Sequence, residues 1–211
     1  MEKEYISINK ETYNKLAKEY RERDYAVQDD FYINTMFKNL NLKEGKRILE
    51  VGPGRGDRLK NFCDLNLDVT AIELSEEMCK LCALRAPKAK IINRNVMECD
   101  FDFQFDFIYM EAMIHNFPLE DAKKMLELVS KWLKDTGTLI CTTTVENLDS
   151  EGYEEKADYK NKEKRFRHRY TDKSFDELFE ANFVIIDKIY KEEKDKIRNK
   201  LWQIVYAKKN K

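Results

Sequence analysis

Three glycines at alternate positions, Gly52, Gly54 and Gly56, follow one carboxylate, Glu50, and precede another, Glu73. Residues without a Cβ let backbone N–H groups approach a bound polar group closely. The run Arg47-Ile48-Leu49-Glu50-Val51 in front of them is short and apolar, as suits a central parallel strand covered on both faces. A second run, Val69-Thr70-Ala71-Ile72-Glu73, ends in its carboxylate 21 residues past Gly52. An acid at that distance sits at the tip of the next strand of a βαβ unit, where it accepts hydrogen bonds from ribose hydroxyls. The chemistry expected is therefore nucleoside binding at the carboxyl end of a sheet. A dinucleotide fingerprint needs G-x-G-x-x-G, and its third glycine is missing here, so NAD is not the expected ligand.

Glu50-x-Gly52-x-Gly54-x-Gly56 resembles the first motif of the class I S-adenosylmethionine-dependent methyltransferases, of the small-molecule type, and strand, helix, strand and terminal acid follow in that family's order. The resemblance implies S-adenosylmethionine as cofactor and S-adenosylhomocysteine as product. It places Gly52, Gly54 and Gly56 beside the cofactor's methionine and ribose, Glu73 with its neighbour Leu74 at the ribose diol, and Glu50 near the methionine ammonium. At the turn after a third strand, Lys90 to Asn93, the family presents an Asp to adenine; this chain has Asn95, with Val96 next to it. The amide oxygen of Asn95 can still accept that hydrogen bond.

A second group that can do chemistry follows the fourth expected strand, Phe105 to Met110. Glu111 and His115 leave its carboxyl end, where substrate meets cofactor at the switch point of a doubly wound sheet. His115 is the first choice for a general base and Glu111 the second, with Glu111 also at the cofactor's edge. The alternative for His115 is a buried residue bridging loops.

The elements that must position these groups are legible around them. Asp57 to Phe62 begins a helix whose amino end carries partial positive charge toward the glycine turn and favours a carboxylate, with Arg58 assisting. Ser75 caps the next helix, on which Cys79 and Cys82 form a C-x-x-C. No second pair matches it and both histidines are distant, so two small apolar helix residues are expected and no metal. Ala122, Met125, Leu126, Val129, Trp132 and Leu133 form a helical core stripe opened by Pro118 and followed by Gly137. A fifth strand covers Thr138 to Thr144. The chain closes with a helix capped at Ser174 and a strand pair, Phe183 to Tyr190 and Leu201 to Ala207.

The expected architecture is α/β: a doubly wound, seven-stranded, mostly parallel sheet with an antiparallel last strand and an N-terminal helical cap. One domain is expected over 1–211, divided into a cap (1–44), a cofactor-binding core (45–144), a substrate-lid insert (145–170) and a C-terminal helix with a strand pair (171–211). In the cap, Tyr13, Leu16, Ala17 and Tyr20 share a helix face with Asn9 as its cap, and a second helical pattern runs from Asp29 to Leu40. Relatives with a similar Y-x-x-x-A-x-x-Y opening use this region as a flap over the site. The insert is charged, carries Tyr153 and Tyr159, and closes on a basic cluster from Lys162 to Arg169 that includes Arg167 and His168. Tyr13, Tyr20, Tyr159, Arg167 and His168 are its candidate substrate contacts. The cluster is also a candidate surface for a substrate anion or RNA, or else a solvated helix.

Composition bounds the reading. The chain has 211 residues and a formal net charge of -1, so no global field recruits nucleic acid or membrane. No apolar run is long enough for a membrane helix, the opening Met1-Glu2-Lys3-Glu4 lacks the apolar core of a signal peptide, and five cysteines in no regular framework fit reduced thiols. A cytoplasmic enzyme acting on a small molecule is expected. The competing class is a module that binds the nucleoside, or RNA, without methyl transfer.

Overall fold

The computed structural model describes residues 3–22, 37, 40, 42–156, 159–160, 162–194 and 199–210. Most of the helical pattern expected from Asp29 to Leu40 lies outside them; Phe37 is described, buried against Phe62 and Tyr109 with ring centroids 5.1 and 5.7 Å away.

Nine strands form two sheets among the described residues. They are β1 (Arg47–Val51), β2 (Asp68–Glu73), β3 (Lys90–Asn93), β4 (Phe105–Glu111), β5 (Leu133–Thr144), β6 (Ser150–Glu155), β7 (Lys164–Arg169), β8 (Phe183–Lys194) and β9 (Asn199–Lys209). Seven of them make the main sheet in the order β3-β2-β1-β4-β5-β9-β8, and β6 with β7 make a separate hairpin. Pairings from β3 to β5 are parallel, while β9 lies antiparallel to both β5 and β8. The fold is the doubly wound sheet read from the sequence, with the last strand inserted between β5 and β8.

Helices α1 (Glu4–Glu22), α2 (Asp57–Asp64), α3 (Glu76–Arg85), α4 (Leu119–Trp132) and α5 (Asp172–Glu177) flank it. Alternate residues of each central strand feed two separate cores. Leu49, Val51, Ile108, Met110 and Cys141 pack with the apolar stripe of α4. Ile48, Phe107, Tyr109 and Ile140 pack with Leu59 and Phe62 of α2 on the other face. Burial on both faces is why these strands are continuous apolar runs. Because the chain steps outward from β1 to β3 and then returns to β4 beside β1, the carboxyl ends of β1 and β4 bound a crevice.

Several local details differ from the sequence reading. Leu133 opens β5 opposite Phe105, so Gly137 lies inside the strand rather than capping α4. Thr171 caps α5: its hydroxyl accepts from Ser174 N, and Ser174 Oγ accepts from Thr171 N, a reciprocal box with Ser174 at the third helical position. Asn9 is not a cap but sits inside α1, which begins five residues earlier than its position. Its amide is 4% exposed; Nδ2 donates to Asn116 O at 3.0 Å and Oδ1 accepts from Phe166 N at 2.8 Å. One side chain thus ties α1 to the turn after β4 and to the β6–β7 hairpin. Asn9→Ala strands two buried backbone groups and should lower stability by about 2 kcal/mol in urea unfolding monitored by circular dichroism.

The insert is a hairpin and not a solvated helix. From Lys164 to Arg169 the chain is a strand in which Arg165, Phe166, Arg167 and His168 are all buried, so neither face shows the alternation that marks a half-exposed strand. Arg165 and Arg167 turn toward Glu154 of β6, their nitrogens 3.1 and 3.7 Å from its Oε1. Arg167 also donates to Thr144 Oγ1 at 2.6 Å, and His168 lies 3.0 Å from Asp149 and stacks on Tyr170. All three basic side chains are buried.

Candidate functional site

A cavity of ≈ 290 Å³ opens at the carboxyl ends of β1, β2 and β4, and every candidate site residue that the sequence singled out lines it except Gly56, His115, Arg167 and His168. Its floor is the turn after β1. Gly52 N–H donates to Ile72 O at 2.9 Å, which fixes the start of the turn against β2. Gly54 has φ +57, and a Cβ placed there would meet nothing within 4 Å, because the position faces open cavity. Gly56 has another task. It does not line the cavity; a Cβ on it would come 3.0 Å from Cys82 Cα, and its φ is +88. Gly56 packs against α3 and stands outside the cavity wall, unlike Gly52 and Gly54. It lets α2 start beside α3, while the Cys82 thiol donates to Gly54 O at 3.1 Å and steadies the turn from behind. Cys79 and Cys82 are free thiols in α3, and the described residues hold no group of metal-ligating side chains.

Two buried carboxylates flank the floor. Glu73, at the tip of β2, accepts from Ser75 N at 2.8 Å. Burial raises its pKa to about 7 even though the N–H groups of Ser75, Gly54 and Leu74 pull it down. Glu50, in β1, is 2% exposed and one of its oxygens has no hydrogen-bond partner. Burial holds its pKa well above the usual carboxylate range, and the charge of Glu111 adds to this while Arg58 opposes it. Leu74, Asn95 and Val96 continue the wall beyond Glu73. Asn95 caps a 3₁₀ turn over Val96–Glu98, its side-chain oxygen accepting from Met97 N at 3.1 Å. A carbonyl oxygen has a second lone pair, so that bond leaves room for another donor.

Across the floor, Glu111 ends β4 and stands in the wall. Its Oε2 accepts from Tyr109 OH at 3.0 Å and lies 3.5 Å from Arg58 Nε. Arg58, at the start of α2, thus faces Glu111. The next residue, Ala112, lines the cavity with φ +52, a costly conformation for a residue with a Cβ, and its N–H is held by Thr142 Oγ1 at 3.1 Å. His115 is elsewhere. It is 3% exposed, its Nδ1 lies 3.0 Å from Thr143 Oγ1, and it is absent from the cavity wall, where its neighbours Met113 and Asn116 appear. The 3₁₀ turn over Ile114–Asn116 leaves the imidazole outside the cavity wall, whereas Glu111, the second choice for a base, stands in it.

An aromatic roof closes the cavity. Tyr20 and Tyr159 stack with centroids 4.8 Å apart, and Tyr13 lies 6.2 Å from Tyr20. Tyr13 OH donates to Asn116 Oδ1 at 3.4 Å and accepts from Arg165 at 3.5 Å, while Arg55 donates to Tyr20 O at 3.0 Å. Tyr13, Tyr20 and Tyr159 line the cavity; Arg167 and His168 do not, their partners being Glu154 and Glu151 of β6 and Glu146 and Asp149 just before it. The sequence reading missed Lys156 and four residues of the last two strands, Lys191, Glu193, Lys200 and Trp202, all in the wall.

Residues 48–137 match a family model described as a methyltransferase domain. The chain is 27% identical over 125 residues to phosphoethanolamine N-methyltransferase of Plasmodium falciparum, covering 55% of this chain and 47% of that protein. An uncharacterized methyltransferase of Alkaliphilus oremlandii is 25% identical over 105 residues, 50% of this chain and 48% of the relative. The chain spans about half the length of these curated relatives. Among solved structures, the Burkholderia thailandensis 1,6-didemethyltoxoflavin-N1-methyltransferase with bound 1,6-didemethyltoxoflavin and S-adenosylhomocysteine superposes with a TM-score of 0.77 at 18% identity. That match covers 99% of this chain and 90% of the other.

Proposed function

We propose that this chain, which belongs to the class I S-adenosylmethionine-dependent methyltransferases, transfers a methyl group from S-adenosylmethionine to a small-molecule nucleophile. One observation carries the reading: a single cavity joins the ribose-binding carboxylate Glu73 to Glu111 at the switch point, past a glycine floor open at Gly54. The residues fit the cofactor. An unpartnered Glu50 oxygen suits an ammonium, and the open face at Gly54 suits a ligand pressed against backbone. When bound, the cofactor would supply a sulfonium-linked methyl carbon for in-line attack by a nucleophile, with S-adenosylhomocysteine as the leaving thioether.

The chain's own residues then have limited work. Glu73 accepts from ribose hydroxyls; Leu74, Asn95 and Val96 border the adenine. Tyr13, Tyr20 and Tyr159 cover the cavity and exclude water, and holding the acceptor in line supplies most of the acceleration. Glu111, in the cavity wall, would take the proton from an acceptor that carries one. Phosphoethanolamine N-methyltransferase and 1,6-didemethyltoxoflavin-N1-methyltransferase both methylate nitrogen by name, which supports a nitrogen acceptor. The helix α1 and the β6–β7 hairpin act as cap and lid over a core of residues 45–144, with residues 171–211 completing the same domain. Five free thiols support a cytoplasmic setting, and no described helix is long and apolar enough to cross a membrane. A nucleoside-binding module without chemistry, or an RNA surface, is less well supported, since the Arg165, Arg167 and His168 side chains are buried among carboxylates.

The test is release of S-adenosylhomocysteine across a panel of amines, phenols, thiols, proteins and RNA. Turnover with a small acceptor supports the reading; cofactor binding with no turnover on any of them favours the module. The glycines offer a sharper internal check. Gly56→Ala adds left-handed strain to a backbone clash and should cost about 2–4 kcal/mol of stability. Gly54→Ala meets no neighbour, so it should cost only about 1–2 kcal/mol of stability while calorimetry shows the larger loss in cofactor affinity.

A further inference from the structure

The stretch of wall beyond Glu73 holds a cation that neither the sequence motifs nor the proton chemistry uses. Arg94 follows β3 directly and lines the cavity together with Leu74, Asn95 and Val96. Its backbone is pinned. Arg94 N–H donates to Glu73 O at 3.1 Å, and Asn93 Nδ2 donates to Glu73 O at 3.0 Å and to Leu74 O at 3.1 Å. The turn that carries Arg94 is thus braced against the turn that carries Glu73.

The Arg94 side chain is exposed and has no hydrogen-bond or ion-pair partner among the described residues. Glu73 gives its carboxylate to Ser75 N instead, and Leu74, Asn95 and Val96 carry no charge. Burial pushes the Cys99 thiol up while the charge of Arg94 draws it down, so the guanidinium stands on the Asn95–Cys99 side of the turn. A nucleoside without phosphate offers no anion to a cation in that place. It does offer a flat π face, and a guanidinium, being planar and weakly hydrated, stacks on nucleobases.

We infer that Arg94 is a specificity-determining residue that lays its guanidinium against the adenine of the cofactor and closes the nucleoside end of the cavity. That the base is adenine rests on the methyltransferase reading; a guanidinium over a nucleobase does not. The contact acts on the base alone, so its effect is the same whether or not the ligand carries the methionine part. A point charge is a poor substitute, because the plane of the guanidinium makes the contact.

The whole protein is titrated by calorimetry at pH 8 with S-adenosylhomocysteine and with 5′-methylthioadenosine, which keeps the adenine, ribose and thioether but lacks the ammonium and carboxylate. Arg94→Ala should weaken both ligands by the same factor, about fivefold, the scale of a cation–π contact at a partly open site. Arg94→Lys keeps the charge without the plane and should recover no more than about twofold of that loss. Without ligand, the thermal unfolding midpoint of Arg94→Ala should match wild type, since the side chain has no partner in the described protein to lose. The clamp is overturned by any of four results: affinity for 5′-methylthioadenosine that changes less than about twofold in Arg94→Ala, full recovery in Arg94→Lys, a loss confined to S-adenosylhomocysteine, or no binding of 5′-methylthioadenosine to wild type. A lowered midpoint in Arg94→Ala would make the residue structural and overturn it too. Arg94-dependent binding of 5′-methylthioadenosine with no binding of S-adenosylhomocysteine instead overturns the methyltransferase reading and leaves the clamp standing.

Discussion

Glu111→Gln should lower kcat by about a hundredfold or more once an acceptor is in hand, the low end of what a positioned proton acceptor contributes. Glutamine keeps the shape of the side chain and can still accept from Tyr109, whose hydroxyl lies 3.0 Å from Glu111 Oε2. It cannot take a proton. The change also removes the charge facing Arg58, which is 5% exposed, so some loss of stability accompanies it and the folded fraction must be measured alongside the rate. His115→Ala is the control, because the imidazole sits behind the wall on Thr143. Its kcat should change by less than about threefold with the fold intact. The reverse pattern, a benign Glu111→Gln and a large loss in His115→Ala, would return proton transfer to the histidine.

Cofactor affinity should depend on pH through Glu73, and the sign follows from burial. Its folded pKa stands at about 7 against an ordinary value of 4.5, so between those values the folded chain holds a proton that the unfolded chain has released. Stability contributed by this group is complete below the lower value and falls as pH rises through the window. A ribose diol donates to the ionised carboxylate, so the cofactor favours the deprotonated form and binding below pH 7 releases a proton. Affinity should weaken roughly tenfold per pH unit below 7 and level off above it. Glu73→Ala should cost about 1.5–3 kcal/mol of binding at pH 8, and Glu73→Gln should release about one proton fewer at pH 6. Calorimetry in buffers of different ionisation enthalpy reads both quantities. A flat affinity from pH 5 to 8 would remove Glu73 from the ribose.

Much of this architecture was legible because the informative residues are local. Glu50, the glycine turn and Glu73 lie on two adjacent strands and the turn after the first, and short-range pattern places each at a strand end. Where the sequence misled, two effects compete along the same stretch. Gly56 has the spacing of a ligand-contacting glycine, but the close approach it permits is to Cys82 of α3, which no spacing rule reveals. His115 has the right distance from β4, yet one 3₁₀ turn decides which side of the wall its ring occupies. The charged stretch Lys191 to Lys200 reads as a turn, which bounds the expected strands at Tyr190 and Leu201. In the structure they extend to Lys194 and from Asn199. Lys191-Glu192-Glu193-Lys194 is charged at every position, so no period-two pattern marks it as strand, and the alternation of half-buried with exposed residues exists only in the structure.

The central claim is that the glycine floor and Glu73 hold S-adenosylmethionine, and one calorimetric comparison tests it most directly. The protein is titrated at pH 8 with S-adenosylhomocysteine and, separately, with NAD, each against wild type and Glu73→Ala. Saturable binding of S-adenosylhomocysteine that weakens by about tenfold or more in Glu73→Ala, with no NAD binding, is the predicted result. Absence of S-adenosylhomocysteine binding to folded wild-type protein, or equal binding by wild type and Glu73→Ala, would contradict it.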